Sequence, residues 1–350
     1  MRMKKLMIFA VAAIALVACS KEFDTNKSAS NGTAIGFGTW AEQLTKAEAR
    51  VQGSSTFLNG DTFNVYGFKT IASNTTVFNG DVVAFNGTDW TYSPLRFWDP
   101  NASSYTFYAV SPSGKVASAN AQSGEFTSNS ITFNGNNNDV LVADKKVVNK
   151  TGSPAAFATT PVPMVFNHIA SLVDFKVKKH ADIAAATVAI TSFQISNIDN
   201  VGTFSINDAY TDTHPVATWN ATAHGGVYSN TSGVTSVATL PNNINTDGSD
   251  FLINNLVAMP QTFRTDENIQ TVTIEYSITS GGDTVEYTSS FNLKLFDKTD
   301  DKGNNDILIG GWEAGKHYTF YITINANAIV FTASITDWAT PNNGYNYLVQ

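Results

Sequence analysis

The sequence predicts an all-β protein, two tandem β-sandwich domains behind an export signal, and three observations carry this. Of 350 residues, 43% are hydrophobic and only 14% charged, with 23 Phe, 12 Tyr and 6 Trp. That balance, with abundant Thr, Asn, Ser and Gly, suits strands and turns better than helices. From residue 56 onward, short apolar runs alternate with Asn- and Gly-bearing turns. Finally, Trp98 is followed by Tyr105-Thr106-Phe107-Tyr108, and Trp312 by Tyr318-Thr319-Phe320-Tyr321, at comparable points of the two halves. Two related sandwich domains is the economical reading.

The first element belongs to neither domain. Arg2, Lys4 and Lys5 precede an apolar run over residues 6–18. That run is too short for a stable membrane-spanning helix, so it reads as an export signal that is cut off. It ends in Leu16-Val17-Ala18-Cys19, and Cys19 is the only cysteine in the chain. A small residue followed by Cys at this place resembles the bacterial lipobox, in which the thiol is acylated and becomes the new N-terminus. An ordinary signal peptide ending near a cysteine is the alternative. The expected organisation is therefore a signal over 1–18, a lipidated tether over 19–32, a first sandwich over 33–155 and a second over 156–350. Without the three cations of the signal, 18 basic residues face 29 acidic ones, a net charge of −11. No long basic run remains, which argues against nucleic acid and against direct binding to an anionic membrane; the lipid is the only membrane contact expected. With Cys19 acylated no disulfide can form, so stability must come from apolar burial and sheet hydrogen bonds.

Residues 33–39 alternate Ile35 and Phe37 with glycines, a short half-buried strand. Residues 42–55 carry Lys46 and Arg50 without a strand pattern. They are a helical turn or an exposed loop, and basic residues in an exposed loop are open to trypsin-like proteases. Asn-Gly pairs at 59–60, 79–80 and 86–87 predict hairpin turns, because both positions accept positive φ. They separate strands over 63–68, 77–78 and 82–85. Trp90 to Trp98 follows, then 105–110, the clearest core strand of this half, and one or two strands around a polar turn at 134–139. The break at 148–163, with Pro161 and Pro163, is the boundary candidate. Beyond it, strands are expected over 172–177, 192–198, 251–258, 270–278, 285–295, 318–324 and 328–335. Residues 181–189 form the only helix-like window, ambiguous because of its β-branched residues.

Several motifs imitate chemistry without supplying it. Gly36-Phe37-Gly38-Thr39-Trp40-Ala41 matches a dinucleotide fingerprint, but no strand–helix–strand unit surrounds it. Gly310 to Lys316 follows most of a phosphate-loop pattern, then has His317 where Ser or Thr is needed and leads into a strand. The five histidines (168, 180, 214, 224, 317) show no metal-ligand spacing, and His168 reads as a hydrogen-bonded packing residue. Asn243-Ile244-Asn245-Thr246-Asp247-Gly248 copies the start of a calcium loop, but Asn254 stands where a bidentate Glu belongs. No nucleophile elbow occurs. Asp81, Asp99 and Asp139 could in principle form a glycosidase pair, yet nothing raises them above turn acids. Trp90, Tyr92 and Trp98 are a sugar-stacking patch or, more simply, core. No catalytic residue, metal site or cofactor is expected, and the chain does not read as an enzyme.

Taken in order, these pieces resemble the fimbrillin family, the pilus subunits of Bacteroides-type bacteria. The resemblance rests on the lipobox at Cys19, on Ile35-Gly36-Phe37 before a basic loop, and on residues 57–66 and 105–112. It includes Val165-Phe166-Asn167-His168-Ile169-Ala170-Ser171-Leu172 and the ending from Trp312 to Trp338. The start Ser20-Lys21-Glu22-Phe23-Asp24 also looks like the charged signal that sends lipoproteins of some gut bacteria to the outer face. The resemblance implies two transthyretin-like sandwiches exported as an outer-membrane lipoprotein by the lipoprotein export and acylation machinery. A trypsin-like processing protease would cut after Arg50, or Lys46, releasing the strand at 33–39. A strand from another pilin subunit would fill the groove, with the donor within 328–350 and its buried face made by Ile329, Phe331, Ala333 and Ile335. The product is an adhesive surface fimbria. The other readings are a non-polymerising surface lipoprotein or tip adhesin that binds a glycan or host protein, and a surface hydrolase.

Overall fold

In a computed structural model the chain is described over residues 32–39, 57–135, 139–206, 217–229, 240–265, 267–295, 297–298, 307–308, 310–326 and 329–338. The architecture is all-β, and no α-helix occurs among these residues. The helix-like window is one 3-10 turn, Ala181–Ile183, capped by the His180 side chain; the β-branched run after it is already a strand.

The first half contains β1 (Phe37–Thr39), β2 (Thr62–Thr70), β3 (Asn74–Phe85), β4 (Trp90–Thr91), β5 (Ser104–Ser111), β6 (Val116–Asn120), β7 (Glu125–Ser128), β8 (Ile131–Thr132), β9 (Leu141–Ala143) and β10 (Lys146–Asn149). β11 (Val162–Met164) and β12 (Phe166–His168) follow. The central sheet runs β12-β9-β5-β2-β3-β4, with β10 also on β5. Its middle strands β2 and β5 are buried on both faces and so read as near-continuous apolar runs, whereas β3, β4 and β10 are largely half-buried or exposed. Phe63, Val65, Tyr105, Phe107 and Ala109 face one core, shared with Ile35 and Phe37. Tyr66, Phe68, Tyr108 and Val110 face a second.

The second half contains β13 (Ser171–Lys179), β14 (Thr187–Ile198), β15 (Val201–Ile206), β16 (Ala217–Ala223), β17 (Gly226–Ser229), β18 (Asp250–Ala258), β19 (Gln261–Thr262), β20 (Thr271–Ser280) and β21 (Asp283–Asn292). It ends with β22 (Asp297–Lys298), β23 (Ile307–Leu308), β24 (Gly311–Trp312), β25 (Lys316–Ile324) and β26 (Ile329–Asp337). Sheets β18-β13-β25-β26-β22-β23 and β17-β14-β20-β21 enclose a third core around Phe175, Phe193, Ile274 and Phe320. The Trp/Tyr echo is structural. The N–H of Asp99, after Trp98, donates to the Tyr105 hydroxyl at 2.7 Å, and that of Glu313, after Trp312, donates to Tyr318 at 2.9 Å.

Two features depart from the sequence reading. Asn79-Gly80 does not turn a hairpin: β3 runs straight through it. Pairing steps from Val65↔Asp81 to Tyr66↔Asn79, leaving Gly80 as a bulge at φ +83°. A left-handed glycine serves a bulge as well as a turn. The strands also cross the expected division at 155/156. β11 and β12 pair backward onto β1 and β9, and β15 joins β7 and β8 in one sheet with β16 and β6. That sheet closes the second core, where Phe126 and Phe133 meet Phe204.

Candidate strand-acceptor groove

Among the described strands, β1 is the one that precedes residues 40–61, and residues 33–39 are held as an extended segment by the first half of the chain. Ile35 and Phe37 are 1% and 4% exposed. The Phe37 ring lies 5.3–6.2 Å from those of Phe63, Phe78, Tyr92 and Phe107, in edge-on or tilted geometry favourable to aromatic pairs. The backbone is held from two sides. Ile35 N–H donates to Arg96 O at 2.8 Å and Trp98 N–H to Thr33 O at 3.1 Å. On the other side Val162 N–H donates to Gly36 O at 2.8 Å, as β1 runs parallel to β11. The Tyr92 hydroxyl donates to Ile35 O at 2.6 Å. Gly38 has a reason: a Cβ there would approach Pro161 Cβ to 3.3 Å, whereas one on Gly36 would meet Pro161 only at 3.8 Å, an ordinary contact.

Charge fixes the rim. Arg96 bonds Asp81 at 3.2 Å and the Val77 carbonyl at 3.2 Å. Lys69 bonds Asp99 at 2.5 Å and, with the Asn101 N–H, holds that carboxyl below the usual carboxylate range. Burial pushes the Tyr92 hydroxyl up, keeping it a donor. Asp139 is bonded to His168 at 2.9 Å, so the three carboxylates sit in three separate pairs.

The other candidates resolve in the same way. Trp98 is core, and Trp90 and Tyr92 pack against it. His168 is a packing residue, stacked on Trp338 at 3.8 Å between ring centroids. His180, His224 and His317 each pair with one aspartate; His214 lies outside the described residues. No group of three metal-ligating side chains occurs among the described residues. The calcium-like loop is closed by its own Asx bonds, Asp247 to Ser249 N–H and Asp250 to Asn245 N–H. Lys316 opens β25, a strand where a phosphate loop needs a helix.

Cys19, Lys46 and Arg50 lie outside the described residues. Ile329, Ala333 and Ile335 are in β26, which pairs along its whole length with β25; Ala333 belongs to the third core and the two isoleucines pack against it. Phe331 pairs with Ile322 in that ladder, and its side chain lies outside the described set. The backbone of these four positions is thus paired within the chain's own sheet. Sequence reasoning missed Tyr92, Arg96 and Pro161 as groove residues. Their contacts with β1 span more than 55 positions, and no local pattern announces such a contact.

A family model described as fimbrillin-like matches residues 45–338. The chain belongs to the fimbrillin-like family. This is a family of fimbrial structural and adhesion proteins, not of enzymes. Among solved structures, this fimbrillin-like chain is similar to a fimbrial protein from Bacteroides vulgatus, at 14% identity and a TM-score of 0.54, over 88% of this chain and 100% of that one. It is also similar to the tip fimbrial protein Mfa3 from Porphyromonas gingivalis, solved with a C-terminal truncation, at 9% identity and a TM-score of 0.39, over 83% and 97%. No match was found among curated proteins.

Proposed function

We propose that this fimbrillin-like protein is a structural subunit of an adhesive cell-surface pilus, exported as a lipoprotein through Cys19 and polymerised by strand exchange. The observation that supports it is the seating of β1. Lys46 and Arg50 lie in sequence between β1 and β2, so a cut after either one severs residues 33–39 from the body. Loss of that segment deprives the amides of Val162 and Trp98 of their acceptors and uncovers the rings of Phe63, Phe78 and Phe107. Each lost apolar side chain is worth about 1.5–3 kcal/mol of burial, and each orphaned buried donor costs about 1–3 kcal/mol. A groove in that state is a template for another strand. On this reading the partners are other pilin subunits, the acylation machinery and a trypsin-like protease, and the mature protein leaves the outer membrane for the pilus.

The test is the double substitution Lys46→Gln with Arg50→Gln in the native cell. The expected outcome is loss of the detergent-resistant multimer ladder in unheated gels, with the chain retained on its lipid. A ladder as strong as that of the parent chain would overturn the proposal.

A further inference from the structure

The segment that leads from β10 into β11 ends against β1. Between Thr151 and Pro161, Phe157 is the one large apolar side chain, and every other residue of the stretch is exposed. We infer that this strap senses the groove: it stays closed only while a strand occupies the β1 position, and an empty position opens a protease site at the Lys150–Thr151 bond. The biological use of that site rests on the strand-exchange reading, whereas the device itself requires only that β1 can leave.

Two of the three attachments that hold the strap pass through β1 or through a residue that β1 fixes. At its C-terminal end, β11 has β1 as its only ladder partner among the described residues, and Val162 N–H donates to Gly36 O. Val162 and Met164 are buried in the core that Ile35 and Phe37 complete. In the middle, the Phe157 ring stacks on Trp98 at 4.8 Å and meets Tyr105 edge-on at 5.0 Å. Trp98 is the residue whose N–H donates to Thr33 O on the other flank of the strand. The third attachment is at the start, where Lys150 Nζ donates to Pro100 O and lies 5.5 Å above the Phe157 ring. Thr151 and Ala156 close the turn with reciprocal N–H to O bonds of 2.9 Å.

Loss of β1 acts on the strap in one step. It takes the only ladder from β11, removes the acceptor of Trp98 N–H and uncovers the pocket of Val162 and Met164. The β10 ladder on β5 stays, and so does the bond from Asp144 N–H to Val165 O at 2.7 Å, so the loosened stretch is bounded by residues 150 and 164. A protease needs the chain around its target bond extended and free of attachments. In the closed strap Lys150 is half-buried with its ammonium tied to Pro100. In the open one, water adds across the amide, leaving a carboxylate on Lys150 and an amine on Thr151. A strand that enters in the direction of β1 remakes the bond from Val162 and closes the strap. The trypsin-like activity that removes β1 then degrades subunits that stay empty and spares those that are filled.

The test is limited trypsin digestion of the full-length chain carrying Lys46→Gln and Arg50→Gln, so that β1 stays covalently attached. It is run with and without Phe37→Asp, which puts a carboxylate into the closed ring cluster and unseats the strand. Cleavage is followed by mass spectrometry at Lys150 and at Arg264, whose guanidinium is bonded to Asn197 O and Asn268 O in the second half and reports general unfolding. Phe37→Asp is expected to speed the cut at Lys150 at least about tenfold and to leave Arg264 unchanged. Equal rates at Lys150 with and without Phe37→Asp overturn the inference. If Phe37→Asp opens Arg264 as much as Lys150, Phe157→Ala in the same uncut chain decides. Faster cutting at Lys150 together with faster hydrogen exchange at the Val162 amide then supports the strap, and a change in only one of them, or in neither, overturns it. Strand exchange is untouched by these outcomes and stands or falls with the multimer ladder.

Discussion

Phe37 is where the groove is most sensitive, because its ring is the common contact of four others. Phe37→Ala should lower the stability of the uncut chain by about 3–5 kcal/mol, measured by denaturant unfolding. In a cut chain refilled by another strand, the same substitution should change nothing. Across the core, Gly67 has no room to grow: a Cβ there would lie 2.8 Å from Phe107 and 3.3 Å from Phe78. Gly67→Ala should therefore cost about 1–3 kcal/mol through overpacking. A third residue sets a pH limit. Burial pushes the Tyr318 hydroxyl up to about 12, above the ordinary value of about 10. Because the folded value is the higher one, the stability linked to the neutral phenol is complete below about pH 10 and is lost as pH rises toward 12. Tyr318→Phe should flatten the alkaline side of a stability–pH curve, at the cost of the bond from Glu313 N–H. At this scale the sequence was informative where burial has a period. Ile35 and Phe37 stand out by alternation, whereas Tyr92 and Pro161 touch β1 only through the fold.

On the strand-exchange reading, β1 and β26 are the two elements whose seating matters. In the uncut chain the amides of Ile35, Trp98 and Val162 should be protected from hydrogen exchange, since each donates within the groove. After cleavage those of Trp98 and Val162 should exchange rapidly, and protection should return when a strand refills the groove. β26 is pinned at its end by Trp338, which is 3% exposed, stacks on His168 and donates its N–H to Gly315 O at 2.7 Å. Trp338→Ala should cost about 3–5 kcal/mol and raise exchange along 329–337 before any other part of the third core. Most strands were legible as elements, because their apolar residues alternate or run together: residues 105–110, 172–177 and 318–324 all lie within the observed strands. The role of Asn79-Gly80 was not, because positive φ at glycine serves a bulge and a hairpin alike. The strands between 201 and 229 also escaped notice; β16 is half-exposed throughout, and its Ala-Thr-Trp-Asn pattern is weakly apolar.

For the whole molecule, the all-β class followed from composition, but the sharing of a sheet between β6–β8 and β15–β16 did not. Strand pairing across more than 70 positions leaves no periodic trace in either partner. One consequence is mechanical. The second core includes Tyr66 and Phe126 as well as Leu172, Val257 and Trp338, so the two halves should unfold together rather than in two separate transitions. The groove lies on the far face of the central sheet, so β1 can be withdrawn without opening that shared core. This is the property a strand-exchanging subunit needs. The most direct measurement is the N-terminal sequence and intact mass of the protein recovered from the cell surface. Strand exchange requires a chain that starts at Val51, or at Ala47 if Lys46 is cut, and lacks residues 33–39. A surface population made only of chains that begin at acylated Cys19 and retain residues 33–39 would contradict it.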